Sequence, residues 1–151
     1  DAAGDSIHLA MGRSHRGRAL MAVQQVDEAR AAFEQALVTI RRHRDETDVL
    51  TLEVMALHAT ALALLGRLDD AWSLLEPRIA DLRASGPIAK YRGLFAAGLV
   101  HRQRGLDDDA QRFFAEATAA MPDTPAHGPR RRAAQAEAER LGRAPASKSP
   151  P

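Results

Sequence analysis

Apolar residues recur at gaps of three and four along most of the chain, the spacing that places side chains on one face of an α-helix. One stripe consists of Val26, Ala29, Phe33, Ala36, Leu37 and Ile40. Two more consist of Leu68, Ala71, Leu74, Leu75, Ile79 and Leu82, and of Ala110, Phe113, Phe114 and Ala117. Another helical run precedes each stripe, at about 6–22, 47–65 and 88–104. The pattern therefore predicts three pairs of helices.

Turn and cap residues separate these runs. Gly66 and Gly105 follow the first helices of the second and third pairs, Pro87 lies near the first position of another helix, and Pro122 ends the last. We expect hairpins at about 6–43, 47–84 and 88–121, and a capping helix at about 129–141. Residues 1–5 and the Pro- and Ser-rich residues 144–151 are expected to be disordered.

Three similar phrases, "QQVDEA", "GRLDDA" and "GLDDDA", stand at the turns of the predicted hairpins. Their alanines, Ala29, Ala71 and Ala110, are 42 and 39 residues apart, and such a period is typical of stacked repeats. The acids of each phrase fall in the first turn of a helix, where carboxylates interact favourably with free amides and the helix dipole. This placement favours a structural role for the acids over paired-carboxylate catalysis.

Pro77 interrupts an otherwise regular helical spacing in "LLEPRIADL". A proline inside a helix removes a hydrogen bond and clashes with the preceding turn, so we expect a kink near residues 74–77. A functional hinge at the same place is the alternative.

Small residues in these hairpins resemble those of the tetratricopeptide repeat family. The third unit carries the pattern best, with Gly98, Ala110, Phe114, Ala117 and Pro122. The first carries Gly17, Ala29, Phe33 and Ala36, and the second Ala59, Gly66, Ala71 and Leu75. The period of 39–42 residues resembles the long variants in kinesin light chains and in large bacterial transcription activators. The resemblance implies an all-α, right-handed superhelical solenoid of three antiparallel hairpins and a C-terminal capping helix.

The resemblance also implies a concave groove lined by the first helices. Its partner-binding residues would be Met11, Ser14, Arg18, Met21, Glu53, Thr60, Arg92, Phe95, Leu99, Arg102 and Gln103. Methionine, phenylalanine and arginine suit a peptide that offers apolar side chains and carboxylates. The alternative is that Met11, Met21 and Phe95 only pack in the core. A clamp for a chaperone's acidic tail is rejected, because among its positions Ser14, Arg18, Leu57, Arg92 and Ala96 only Arg92 has the expected side chain.

The remaining composition argues against other kinds of site. The chain of 151 residues has no cysteine, and its longest mostly apolar run, 54–65, is too short to span a bilayer. His58 and His101 are interpreted as packing residues, so no catalytic residue, metal site or cofactor is predicted. Arg130 to Arg132 form one short basic run, which gives little support for nucleic-acid binding.

We therefore predict a non-enzymatic, cytoplasmic protein-interaction module that binds a protein or peptide and does not enter a membrane. It would belong to a larger bacterial regulatory protein. Two alternatives stay open: a regulatory domain that senses a small effector, and a module for self-association into a homodimer.

Overall fold

The computed structural model describes residues 1–122 and, beyond them, 124, 126, 128, 129, 131, 132, 135, 136 and 139. Its helices are α1 (Ala2–Ala22), α2 (Val26–Arg41), α3 (Val49–Leu64), α4 (Leu68–Leu75), α5 (Ile79–Ala84), α6 (Pro87–Gln103) and α7 (Asp107–Ala120). A 3-10 turn, Glu76–Arg78, lies between α4 and α5. The described residues form no strand.

The helices pair as the sequence predicts. α1 packs on α2, α3 on α4, and α6 on α7, which gives three hairpins. The hairpins stack because α3 also contacts α2 and α6, and α6 also contacts α4 and α5. The all-α array of hairpins is thereby confirmed, and its core is continuous across the hairpin boundaries.

Each hairpin turn has the same backbone geometry. One residue per turn has a positive φ: Gln24 at 65°, Gly66 at 78° and Gly105 at 77°. The next amide then closes the end of the first helix, as in a Schellman motif. The bonds run from Gln25 N to Leu20 O, from Arg67 N to Leu62 O and from Leu106 N to His101 O, each 2.9 Å long.

The acids of the repeated phrases lie where the sequence places them, in the first turns of α2, α4 and α7. None of these three helices has a side-chain hydrogen bond at its N-cap. The carboxylates therefore supply the negative charge that the helix N-termini favour.

Pro77 divides the second helix of the middle hairpin. The α-helical hydrogen bonding stops at Leu75, passes through the 3-10 turn and resumes at Ile79. The α-helical hydrogen bonding is thus interrupted next to the place predicted for the kink, because the proline has no amide hydrogen and its ring is bulky.

The first residues of the chain are helical, and part of the predicted capping helix lies within the described residues. Residues 1–5 were expected to be disordered, but α1 begins at Ala2 because the Asp1 carboxylate accepts a hydrogen bond from Ala3 N. Within the predicted capping helix, the described residues 129, 131, 132, 135, 136 and 139 are helical. The rest of that helix and the tail 144–151 lie outside the described residues.

Glycines let large side chains seat against neighbouring helices. A Cβ at Gly98 would lie 2.8 Å from the Phe114 ring, and one at Gly17 would lie 2.6 Å from the Phe33 ring. Gly98 therefore allows Phe114 of α7 to pack directly against the backbone of α6. A third contact, between Gly93 and Leu82, was not foreseen, and there a Cβ would lie 2.5 Å from the leucine side chain.

Candidate partner-binding groove

A groove crosses the first helices of all three hairpins, α1, α3 and α6. It encloses about 220 Å³ and is lined by Met11, Ser14, His15, Arg18, Leu50, Glu53, Val54, Ile88 and Arg92. Because each helix is held by its own hairpin partner and by the stack, the groove walls are fixed by packing.

An ion pair links the second and third hairpins inside the groove. Arg92 Nη1 lies 3.4 Å from Glu53 Oε2, and their side chains are 14% and 25% exposed. Arg18 is exposed and makes no ion pair within the described part of the chain. The two arginines and one glutamate of the lining leave a surplus of one positive charge among these side chains.

The groove brings together five of the residues that the resemblance implies, namely Met11, Ser14, Arg18, Glu53 and Arg92. The lining also contains four residues that were not predicted, His15, Leu50, Val54 and Ile88. The missed residues lie within one helical turn of the predicted ones, so a search of neighbouring turns on the same helices would have found them.

Phe95 and Leu99, two of the predicted binding residues, lie outside the groove lining. The Phe95 ring lies 5.2 Å from the Phe114 ring and 5.8 Å from the Tyr91 ring, measured between centroids. Leu99 is only 8% exposed and belongs to the core. Both residues pack between helices because α6 is enclosed by α3, α5 and α7.

Four other predicted residues lie outside the groove lining. Met21 is half-buried in a cluster with Phe33, and the Thr60 hydroxyl donates to Ala56 O inside α3. Arg102, 18% exposed, pairs with Asp107 at 3.0 Å. Gln103 is exposed at the end of α6. The structure therefore places five of the predicted residues in the groove lining and six outside it.

His101 has the packing role that the sequence analysis gives it. Its ring centroid lies 4.8 Å from that of Trp72 and 4.9 Å from that of Phe113, so it joins three helices. Its Nδ1 lies 2.9 Å from Ala97 O, within hydrogen-bond distance.

Within the described residues, no helix has the length and apolar character needed to cross a membrane.

Comparison with known proteins gives one family. The model of the family described as "T7SS, ESX-1 secretion system protein EccA1, N-terminal domain" matches residues 34–138, which is more than half of the chain. The match begins within α2 and extends beyond α7, so α1 precedes it. No curated protein and no solved structure shows significant similarity to the chain.

Proposed function

The chain belongs to the family of the ESX-1 secretion system protein EccA1 N-terminal domain, and from this premise we propose that it is a non-enzymatic protein-interaction module of a secretion-system protein. Its ligand is an extended or helical peptide segment of a partner protein. The segment lies in the groove across α1, α3 and α6.

The observation that carries the proposal is the convergence of side chains from three helices. Met11 and Arg18 come from α1, Glu53 from α3 and Arg92 from α6. A recognition surface whose backbone is already fixed loses little conformational entropy on binding. The surplus positive charge favours a partner segment with a carboxylate, and Met11 offers an adaptable apolar contact.

The volume of the groove bears on the small-effector alternative. Sites for drug-sized ligands enclose about 300–1,000 Å³, and this groove encloses about 220 Å³. One or two side chains of a peptide fit that space better than a whole effector molecule. Self-association stays an alternative, since a second copy could supply the segment.

Some finer predictions remain part of the proposal. The family description supports the setting of a secretion system and gives no support to membership of a regulatory protein. The long-period tetratricopeptide variant and the cytoplasmic location stay predictions from the sequence.

Selection from a displayed library of short random peptides tests the proposal. The wild type should enrich peptides that contain Asp or Glu, and the Arg18→Ala/Arg92→Ala double variant should lose them. The control is Arg16→Ala/Arg42→Ala, which removes two exposed arginines that do not line the groove. Equal enrichment by all three proteins would exclude the groove as the binding surface, provided that their circular dichroism spectra agree.

A further inference from the structure

The three hairpin turns lie next to one another in the stack. They form a surface called here the turn edge, which comprises residues 23–30, 64–70 and 102–109. Leu64 and Leu65 of the second turn line one hollow together with Val26 of the first. The third turn adjoins the second, since Arg104 Nη2 lies 2.7 Å from Asp69 Oδ1. The turn edge is therefore continuous, and it shares no residue with the groove.

Large apolar side chains are exposed at each of the three turns. They are Val23 in the first turn, Leu64 and Leu65 in the second and Leu106 in the third. These four are half of the large apolar side chains that are exposed in the described part of the chain. Between the first two turns lies an open hollow of about 450 Å³. Exposed apolar side chains that are grouped on a surface indicate an interaction site, whereas single ones do not.

The backbone of the turns limits how a partner can bind there. The amides of Gln25, Arg67 and Leu106 already donate to carbonyls at the ends of the first helices. The described residues form no strand, so they offer no sheet edge that a partner strand could extend. A small molecule in the hollow would cover neither Val23 nor Leu106, which lie outside its lining. An amphipathic helix remains, because it presents a continuous apolar stripe to such a surface.

The charge beside the apolar side chains selects the kind of helix. Seven acids and four arginines lie in the turn edge, which leaves a surplus of three negative charges. Each of the four arginines is paired with one of these acids. Glu28 and Asp108 are exposed and make no ion pair within the described residues. The surplus repels an anionic membrane or a nucleic acid and attracts lysine and arginine side chains.

We propose that the turn edge binds a basic amphipathic helix of a protein partner. The apolar stripe of this helix covers the four exposed apolar side chains, and its lysine or arginine side chains lie beside Glu28 and Asp108. Packed helices such as α3 and α6 lie about 8–10 Å apart. Side chains seven residues apart on a helix are separated by about 10 Å, so one stripe can reach successive turns. The proposal does not depend on the groove, whose surplus charge is positive.

Fluorescence anisotropy with a designed peptide tests the proposal on the full chain. The probe is a labelled peptide of about 18 leucine and lysine residues, with its leucines at gaps of three and four. It should bind with a Kd on the order of 10 μM. A peptide with glutamate in place of every lysine, and one with the same composition in scrambled order, should each bind at least about ten-fold more weakly.

A pair of variants tests the apolar contact. Val23→Gln/Leu64→Gln should weaken binding of the leucine–lysine peptide by about ten-fold, because two apolar contacts are lost. The matched control is Val38→Gln/Val49→Gln, which changes two apolar residues outside the turn edge. Their exposed fractions are 50% each, against 63% and 48% for Val23 and Leu64. The control should bind the peptide as the wild type does.

A second pair of variants tests the charge. Glu28→Gln/Asp108→Asn should weaken binding by about five-fold, since exposed ion pairs contribute modestly. The control Glu76→Gln/Asp5→Asn also removes one exposed glutamate and one exposed aspartate, but outside the turn edge, and should leave the affinity unchanged.

Several results would overturn the proposal. One is no binding of the leucine–lysine peptide, or equal binding of the glutamate peptide. Another is wild-type affinity in Val23→Gln/Leu64→Gln. A third is loss of binding in Arg18→Ala/Arg92→Ala, which would place the peptide in the groove. That variant should bind the peptide as the wild type does, so the two proposals fail separately.

Two further measurements test other occupants of the turn edge. In sedimentation, a mass that rises with concentration for the wild type but not for Val23→Gln/Leu64→Gln would make a second copy the occupant. Removal of residues 140–151, which contain three basic side chains and no acid, should leave the affinity for the peptide unchanged. A ten-fold gain would make this segment of the chain the occupant. Either result would overturn the proposal of a partner helix.

Discussion

Gly98 lies directly against the ring of Phe114, so closely that a Cβ at Gly98 would be 2.8 Å from two of its ring carbons. The same pairing occurs in the first hairpin, between Gly17 and Phe33, with the same separation of 16 residues. In the middle hairpin, Ala59 and Leu75 occupy the corresponding positions. The residue on the first helix is larger there, alanine in place of glycine, and the residue on the second helix is smaller, leucine in place of phenylalanine. The hairpins therefore share one arrangement of the two residues, with two combinations of side-chain size.

The first prediction concerns this pair. Gly98→Ala should lower the free energy of unfolding by up to about 2 kcal/mol, because overpacking against the fully buried Phe114 costs about 1–3 kcal/mol. The loss must exceed the gain of about 1 kcal/mol that alanine brings to a helix interior. Urea denaturation measures it. Gly98→Leu should push α6 and α7 apart and lower the free energy of unfolding further.

Gly12→Ala is the matched control, since a Cβ there meets nothing within 4 Å. It should stabilise the protein by up to about 1 kcal/mol. The relationship between the sizes of the two paired residues also predicts that the effect of Gly98→Ala changes sign. In a Phe114→Leu background, which reproduces the Ala59–Leu75 pair, Gly98→Ala should be neutral or stabilising. The same loss of stability in both backgrounds would refute this relationship.

The second prediction concerns the first hairpin turn. Gln24 has the left-handed conformation that Gly66 and Gly105 adopt in the other turns. Gln24→Gly should therefore raise the free energy of unfolding by about 1 kcal/mol, because a side chain with a Cβ is strained there. Thermal denaturation checks it, with Gln25→Gly as control, since Gln25 has a negative φ of −88°. A gain from the control as large as that from Gln24→Gly would contradict the explanation.

The third prediction compares ion pairs with packing. Arg83 and Glu116 form two hydrogen bonds of 2.9 and 2.8 Å between the second and third hairpins, but their side chains are 47% and 39% exposed. A double-mutant cycle with alanine should give a coupling of less than about 1 kcal/mol. Phe114→Ala should cost about 3–5 kcal/mol. A coupling that matches the phenylalanine loss would mean that surface charge holds the hairpins together.

The fourth prediction concerns the pH dependence of stability. Burial is the main cause of the lowered pKa of His58, and Arg30, Arg41 and Arg67 also oppose its protonation, while Glu34 favours it. The unfolded chain then binds a proton more readily than the folded one. This contribution to stability is complete above pH 6.5 and is lost as the pH falls below that value.

His58→Leu should flatten the fall in the free energy of unfolding between about pH 6.5 and the lower pKa of the folded state. The wild-type slope from this residue cannot exceed about 1.36 kcal/mol per pH unit. Denaturation series at several pH values measure it, with the exposed His15→Gln as control. Parallel pH curves for the wild type and His58→Leu would show that burial does not affect this imidazole.

The sequence predicts the hairpins well because their signals are local. Gly66 and Gly105 indicate turns because glycine readily adopts the positive φ that these turns need. The helical spacing of the apolar residues around Phe33 and Phe114 indicates which face of each helix is buried. The start of α1 was missed because a single capping carboxylate, Asp1, adds a turn that apolar spacing does not show.

The residues of the groove were predicted only in part, because their burial depends on a neighbouring hairpin whose residues are distant in sequence. Phe95 and Leu99 share helical spacing with Arg92, yet they pack against α3 and α7 while Arg92 lines the groove. A cleft that His58 lines, between Arg30 on α2 and Asp70 on α4, was missed for the same reason. These residues are distant in sequence, and no spacing within one helix indicates the cleft.

Photo-crosslinking from the groove tests the central claim most directly. Benzoylphenylalanine in place of Met11, which is 36% exposed in the groove, should form crosslinks to a partner in cells that carry the gene. Arg18→Glu should abolish those crosslinks, and the same label at Val38, 50% exposed on α2, should form none of them. Crosslinks to the same partner from Val38 but not from Met11 would contradict the groove as the binding surface.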